Sequence, residues 1–164
     1  GEYAAIDTAL EALARANTRL RERFSPELNR RAGEYLSRLT GGKYDRLTLN
    51  RELEGAAAQA GDPMTRSALY LSQGTVDQLY LAVRLAVCDL CLPQRPPIVL
   101  DDALADFDDG RAAQGLALLR ELAEEQQVLL FTCHGREREQ LKGAPDVTVL
   151  SLQDGPCNRN SQRV

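Results

Sequence analysis

The 164-residue chain carries 20 basic and 24 acidic residues, and its net charge of -4 argues against a protein that binds nucleic acid through an overall positive charge. With 43% hydrophobic and 27% charged residues, it has the composition of one folded domain and not of a disordered segment. No apolar run is long enough to span a membrane, and no signal peptide opens the chain, so we expect a cytoplasmic protein. The first residue is glycine, which suggests a piece of a longer polypeptide.

The N-terminal part of the chain has the pattern of two helices. A heptad repeat over residues 1–24 predicts a coiled-coil stub, although an amphipathic helix packed on its own domain fits the same residues. Ser25 then resembles an N-cap and Pro26 the first residue of a second helix, which we expect to end at Gly41 and Gly42. This pattern predicts a boundary between the stub and a domain at 25–152.

A strand is predicted at 44–50, and the region after it is the hardest to interpret. Gly55 and the turn at 61–63 favour a hairpin with arms at 56–60 and 64–71. Beyond it, helices and strands alternate, which predicts parallel pairing. The predicted elements are a helix from Thr75 to Pro93, a strand at 97–101, a helix at 109–125, a strand at 128–132, a helix at 136–141, a strand at 147–152 and a flexible tail at 153–164.

Three polar features lie where such a fold would place a ligand. The loop 71–75, sequence LSQGT, opens a helix whose free N–H groups favour an anion, although a plain N-cap by Ser72 or Thr75 fits as well. Asp101 and Asp102 end a strand and provide carboxylates for a divalent metal or for water, with their side chains expected on opposite faces. His134 follows the next strand and could bind a phosphate oxygen.

In their order and spacing, these features resemble the C-terminal lobe of an ABC-type ATPase head of the SMC, RecF and RecN class, with the bacterial YhaN-like coiled-coil ATPases as the closest likeness. LSQGT followed by VDQLYLAVRLAV is similar to the signature motif and its helix, and PIVLDD is similar to Walker B. ALADFDDGR resembles the D-loop, and FTCHGRE resembles the switch-histidine loop. The resemblance implies an α/β lobe with mostly parallel strands and flanking helices, preceded by a small antiparallel portion and the N-terminal coiled-coil-like helix.

The resemblance also implies a role for each matching residue, with ATP and Mg²⁺ as cofactors. Asp101 would hold Mg²⁺ through its water shell, Asp102 would polarise the attacking water, and His134 would reach the γ-phosphate. Asp108 would communicate across a dimer of heads. The signature residues would contact ATP held by the opposite head, and they are Ser72, Gln73, Gly74 and Thr75.

The sequence departs from the family pattern in three ways. Gln73 and Thr75 replace the commonest signature residues, and Asp102 stands where a longer Glu is usual, which implies slow hydrolysis. The chain also has no G-x-x-x-x-G-K-[ST] phosphate loop. We therefore expect half an active site, whose partners are a Walker A lobe of the same parent polypeptide and a second head, with DNA a possible partner of the parent and no membrane involved.

Other interpretations stay open at this point. The chain could be a dimerisation module with decayed nucleotide chemistry, or a Mg²⁺-dependent phosphohydrolase that uses the aspartate cluster alone. Cys88, Cys91, Cys133 and His134 could also form a zinc site, but the first two lie in a continuous helical run, so we favour the interpretation of the cysteines as small buried hydrophobes.

Overall fold

The computed structural model describes residues 2–50 and 54–152, so the predicted tail at 153–164 lies outside the described residues. Among the described residues, no helix is long and apolar enough to cross a bilayer. The fold is mixed α/β, with one small antiparallel sheet and one parallel pair of strands.

The first helix, α1, runs without interruption over Glu2–Leu39 and contains Pro26. The predicted break at Ser25 is therefore wrong, and the domain boundary placed there does not coincide with the end of a helix. Proline removes one helical hydrogen bond, but a helix can continue through it when its neighbours are held by packing. Phe24 already packs against the core and Leu28 is buried in it, so the packed face of α1 extends across Pro26.

A small antiparallel sheet follows α1. Its strands are β1 (Tyr44–Leu49), β2 (Gly55–Gln59) and β3 (Arg66–Ser67), in the order β1-β2-β3. The hairpin between β2 and β3 confirms the prediction for this region, although the second arm is short and leads into a 3₁₀ turn at Ala68–Tyr70. The small side chains of β2 allow its buried face to lie close to the helices, and a Cβ at Gly55 would overlap the side chain of Leu79.

The second helix, α2 (Gln73–Cys91), packs against α1, and α1 also packs on β1. Gln78 is buried between the helices, and its side-chain amide donates to the backbone carbonyl of Leu39 at the end of α1. Tyr35 donates its hydroxyl to Asp89, and burial together with this carboxylate raises the pKa of Tyr35. These polar contacts fix α2 relative to α1, so the start of α2 has a defined position.

A parallel pair of strands carries the acidic motif. Strand β4 (Ile98–Asp101) pairs with β5 (Val128–Phe131), and the helices α3 (Asp109–Leu122) and α4 (Gly135–Gln140) follow the two strands. One face of this pair packs on the core through Ile98, Leu100, Val128 and Leu130. The other face is open to solvent, because Val99 is 61%, Leu129 39% and Phe131 44% exposed.

The predicted strand at 147–152 is wrong, since no strand is formed there. Its alternating apolar residues are exposed, with Leu150 at 80% and Leu152 at 82%. A strand is stable when it pairs with a neighbouring strand and buries one of its faces against other residues. One face of β4 and β5 is itself exposed, so it offers residues 147–152 no covered surface on which to pack. As a result the antiparallel sheet is the larger sheet of the described residues, and the expectation of mostly parallel strands is not met.

The segment before residue 147 is held on α3 by an ion pair. Arg120 donates two hydrogen bonds to Asp146, at 2.7 and 2.8 Å, and this bidentate contact lowers the pKa of Asp146. The segment is therefore linked to α3 by this contact.

Candidate functional site

The two aspartates of the acidic motif take different backbone conformations at the end of β4. Asp101 is the last residue of the strand and lies opposite Phe131 in the parallel register. Asp102 has a φ of 47°, in the left-handed region that aspartate tolerates better than most residues. The direction of the Asp102 side chain is therefore set by this turn, and the predicted strand alternation does not apply to it.

The loop after β5 lies against Asp102. The backbone N–H of Asp102 donates to the carbonyl of Phe131 (2.9 Å), and the backbone N–H of Cys133 donates to Oδ1 of Asp102 (3.2 Å). His134 is exposed at the start of α4, and its backbone N–H donates to Oγ1 of Thr132 (3.0 Å). The structure thus brings together Asp102, Cys133 and His134, which we call the sheet-edge cluster, and their ligand atoms lie within 4.8 Å of one another.

The signature-like loop, residues 71–75, opens α2. Ser72 is the N-cap residue but makes no side-chain capping bond to the helix. Instead its hydroxyl lies 2.9 Å from that of Thr75, which is buried, so Thr75 orients Ser72. Gln73 is exposed and donates to Asp77 (2.9 Å). The plain N-cap by Ser72 or Thr75 was the alternative interpretation of this loop, and of these two a side-chain cap by Ser72 is not observed.

Sequence reasoning missed Arg111, which connects the signature-like loop to the acidic loop at 102–108. Its guanidinium lies 3.4 Å from Oγ of Ser72 and 3.4 Å from a carboxylate oxygen of Asp108. Asp108 caps α3 by accepting a hydrogen bond from the backbone N–H of Arg111 (2.8 Å). The position of Arg111 three residues after the capping Asp108 is the sequence signal that could have indicated this contact.

Gly74 makes room for the Arg111 guanidinium, because a Cβ at Gly74 would overlap it. We expect Gly74→Ala to displace Arg111 from Ser72 and Asp108 while the fold is kept, since the atoms that overlap are at the end of a flexible side chain. The free energy of unfolding should change by no more than about 1 kcal/mol, because alanine favours a helix by about that amount over glycine. A crystal structure of the variant, together with denaturant unfolding, measures both effects.

Gly110→Ala is the matched control for this substitution. Gly110 lies in the first turn of α3, where a new Cβ would meet Oδ1 of Asp108 at 3.5 Å, an ordinary contact. Arg111 should keep its place in this control. An unmoved Arg111 in the Gly74→Ala protein would contradict the role given to Gly74.

A second arginine that sequence reasoning missed holds the acidic loop from the other side. The guanidinium of Arg136 donates to the backbone carbonyls of Leu104, Ala105 and Phe107. Its Nε also donates to Glu137 (2.9 Å), whose side chain is only 2% exposed. The other carboxylate oxygen of Glu137 accepts a hydrogen bond from Thr132 (3.3 Å), so this network joins the acidic loop to the loop after β5.

The cysteines do not form the zinc site considered from the sequence. Cys88 and Cys91 lie in α2, and among the described residues Cys133 groups with Asp102 and His134 and not with them. The interpretation of the cysteines as small buried hydrophobes is also wrong in part, because Cys91 and Cys133 are exposed and Cys88 is half-buried.

Comparison with known proteins gives the fold class. A chain from structural work on ATP-driven dimerisation and DNA-stimulated activation of SMC ATPases matches with a TM-score of 0.64 and 22% identity, over 85% of this chain and 84% of that one. The Smc head domain of Pyrococcus furiosus, with an extended coiled coil and bound to the C-terminal domain of ScpA, gives 0.62 and 21% identity over 84% of this chain and 35% of its own. The SMC head domain of Thermotoga maritima gives 0.58 and 22% identity over 75% and 43%. The fold is that of part of an SMC head domain, in agreement with the resemblance found in the sequence.

A curated relative gives the particular likeness. The chain is 28% identical over 152 residues to the uncharacterized protein YhaN of Bacillus subtilis (strain 168). The match covers 92% of this chain but only 16% of YhaN, so the chain spans a small part of the relative's length. No family model matches.

Proposed function

We propose that this chain is the C-terminal half of an SMC-like ATP-binding and hydrolysing head, in which ATP drives the engagement of two heads. The observation that carries the proposal is the sheet-edge cluster, in which Asp102 accepts a hydrogen bond from the loop that bears His134. An acid and an imidazole that meet at the carboxyl ends of neighbouring parallel strands are suited to position water and a phosphate oxygen.

The residues divide into two groups with separate tasks. Asp101, Asp102 and His134 would act on a nucleotide bound at the edge of the parallel strands. Ser72 and Gly74 would meet ATP held by the opposite head, and Gln73 and Thr75 would support them. Arg111 links the two groups, because its guanidinium contacts Ser72 of the signature-like loop and Asp108 of the acidic loop.

Asp108 would contact the second head in addition to its bonds within the chain. Both of its carboxylate oxygens contact Arg111, and the guanidinium of Arg111 also contacts Ser72. A change at the dimer interface that moves Asp108 would therefore also move the signature-like loop. This contact offers a physical route between the two faces of the head.

Asp101 is suited to Mg²⁺, because this ion prefers oxygen ligands and is commonly bound through one or two protein carboxylates and the phosphates of its nucleotide. When bound, Mg²⁺ would neutralise charge on the phosphates. The exposed carboxylate at the end of β4 supplies the oxygen donor that this requires.

A Walker A lobe elsewhere in the parent polypeptide would complete the site. The open face of β4 and β5 supports this part of the proposal, because Val99, Leu129 and Phe131 are apolar side chains of a parallel pair, and parallel sheets are covered on both faces. The heptads of α1 would lead to that lobe through a coiled coil, and Leu13 in the heptad seam is 66% exposed. DNA repair or chromosome maintenance is the process that we propose for the parent, by likeness to the SMC class.

The half-site can be tested by calorimetric titration of ATP·Mg²⁺ into the 164-residue chain and into the longer polypeptide that contains it. We expect no measurable binding to the chain alone, because the backbone amides and lysine that hold the β- and γ-phosphates are missing from its sequence. The longer polypeptide should bind ATP. Micromolar affinity for the chain alone would show that the site is complete without a second lobe.

A further inference from the structure

The sheet-edge cluster combines three chemically different metal ligands on two loops. A carboxylate from Asp102, a thiol from Cys133 and an imidazole from His134 place their ligand atoms within 4.8 Å of one another. All three residues are exposed, so an ion can reach them from solvent. Neither the Walker B role of Asp102 nor the switch role of His134 uses the thiol, which leaves Cys133 without a task in the proposed reaction.

Hydrogen bonds hold Asp102 and Cys133 beside each other without a bound ion. The left-handed turn at Asp102 and the bond from its N–H to Phe131 hold the end of β4 against the loop after β5. The backbone N–H of Cys133 donates a hydrogen bond to Oδ1 of Asp102, and Oδ2 of Asp102 lies 3.7 Å from the sulfur of Cys133. A hydrogen bond to one oxygen of a ligating carboxylate orients the other, which is a common arrangement around metal sites.

The spacing of sulfur and oxygen matches a tetrahedral ion. Zinc bonds of about 2.3 Å to sulfur and about 2.0 Å to oxygen, at a tetrahedral angle, hold these two atoms about 3.5 Å apart. The observed 3.7 Å therefore requires almost no movement of either side chain. His134 follows Cys133 directly, and a nitrogen of its ring lies within 4.8 Å of both of these atoms.

We propose that Asp102, Cys133 and His134 form a binding site for Zn²⁺ or a similar transition-metal dication, with the fourth position open to water. Thiolate and imidazole select such ions, whereas Mg²⁺ prefers oxygen ligands and keeps most of its waters. Three protein ligands and one open position are also the usual composition of accessible zinc sites. Asp101, whose only donors are oxygens, would remain available to Mg²⁺.

Zinc at this position has a consequence for the reaction, and this consequence rests on the proposed function. Asp102 and His134 cannot act on water and phosphate while they hold zinc. Micromolar zinc should therefore inhibit ATP hydrolysis by the assembled head even when Mg²⁺ is in large excess.

The site is tested by titrating Co²⁺, as a spectroscopic substitute for Zn²⁺, into the purified 164-residue chain. The sequence has four cysteines, so the triple variant Cys88→Ser, Cys91→Ser, Cys157→Ser keeps Cys133 alone. We expect this variant to bind one equivalent of Co²⁺ with a thiolate-to-cobalt charge-transfer band, and Zn²⁺ to displace the cobalt. Cys133→Ser in the same background should lose the band, and a band that persists there or is missing from the triple variant would overturn the proposal.

Each remaining ligand has its own test in the triple variant. Loss of even an outer partner weakens metal binding by about 10- to 100-fold, so Asp102→Asn and His134→Ala should each weaken Zn²⁺ binding by at least about tenfold. Asp106→Asn, an exposed acid of the same loop, should leave the affinity unchanged. Equal affinity in the His134→Ala protein would overturn the assignment of His134 as a ligand.

The metal site and the proposed function can fail separately. Co²⁺ binding is measured on the chain without nucleotide, so it does not depend on ATP hydrolysis. If the assembled head hydrolysed no ATP even without zinc, the proposed function would be wrong and the titration would still decide the site. If the head hydrolysed ATP at an unchanged rate with zinc bound, the inhibitory consequence would be overturned.

Discussion

Replacement of Asp102 by asparagine in the assembled head is expected to reduce the rate of ATP hydrolysis by about 10²- to 10⁴-fold, the usual contribution of a positioned acid or base. The amide keeps the size of the side chain and can still accept the hydrogen bond from Cys133 at its carbonyl oxygen. ATP affinity and head engagement should therefore be kept. Asp102→Glu is expected to have the opposite effect and speed hydrolysis, because the longer side chain restores the reach that is usual in this class.

Steady-state phosphate release and analytical ultracentrifugation with ATP measure the two parts of this prediction. Asp106→Asn is the control, because Asp106 is an exposed acid of the same loop with no role in the proposed reaction. A hydrolysis rate unaffected by Asp102→Asn would favour a dimerisation module with decayed nucleotide chemistry. Phosphatase activity of the 164-residue chain alone with Mg²⁺ would instead support a phosphohydrolase.

Replacement of Glu137 by alanine is expected to lower the free energy of unfolding by about 3 kcal/mol, because removal of one partner of a buried ion pair leaves the other uncompensated. Glu137 is 2% exposed and bonded to Arg136 and Thr132. Arg136 is 25% exposed, which allows water to compensate part of the loss and places the effect at the low end of the usual range. For a chain of this size, such a loss lowers Tm by about 6–12 °C.

Thermal unfolding followed by circular dichroism measures the loss, and Glu139→Ala is the matched control two residues away. The Glu139 side chain is 63% exposed and lies 3.9 Å from Lys142, so its removal should change stability by no more than about 0.5 kcal/mol. Equal Tm values for the two variants would mean that the network of Arg136 and Glu137 does not stabilise the acidic loop.

Much of the fold followed from local patterns. The strand at 98–101 and the helix that starts at Asp109 lie within a residue of their predicted starts, because runs of apolar residues and capping acids act over short distances in the chain. The end of α1 was also predicted, since Gly41 and Gly42 both take positive φ there. The break predicted at Ser25 is wrong, because a Ser-Pro pair fits a helix start and also a helix interior that is held by packing.

The candidate site was predicted in part. The pairing of β4 with β5 puts Asp101, Asp102 and His134 at one edge, as expected for consecutive parallel strands. The roles of Arg111 and Arg136 could not be predicted, because each reaches across to another part of the chain. Arg111 meets Ser72, 39 residues earlier, and Arg136 meets the carbonyl of Leu104, 32 residues earlier.

The sequence by itself determined the order of the helices and strands from β1 to α4, the position of the acids after β4 and the loop that opens α2. Only the tertiary structure decided the left-handed turn at Asp102, the contact of its carboxylate with Cys133, and the absence of a strand at 147–152. The reason is that periodicity and capping are properties of neighbouring residues. The direction of a side chain in a turn and the pairing of a strand depend on partners that are distant in the chain, and for the open face of β4 and β5 we propose that the partner is a second lobe.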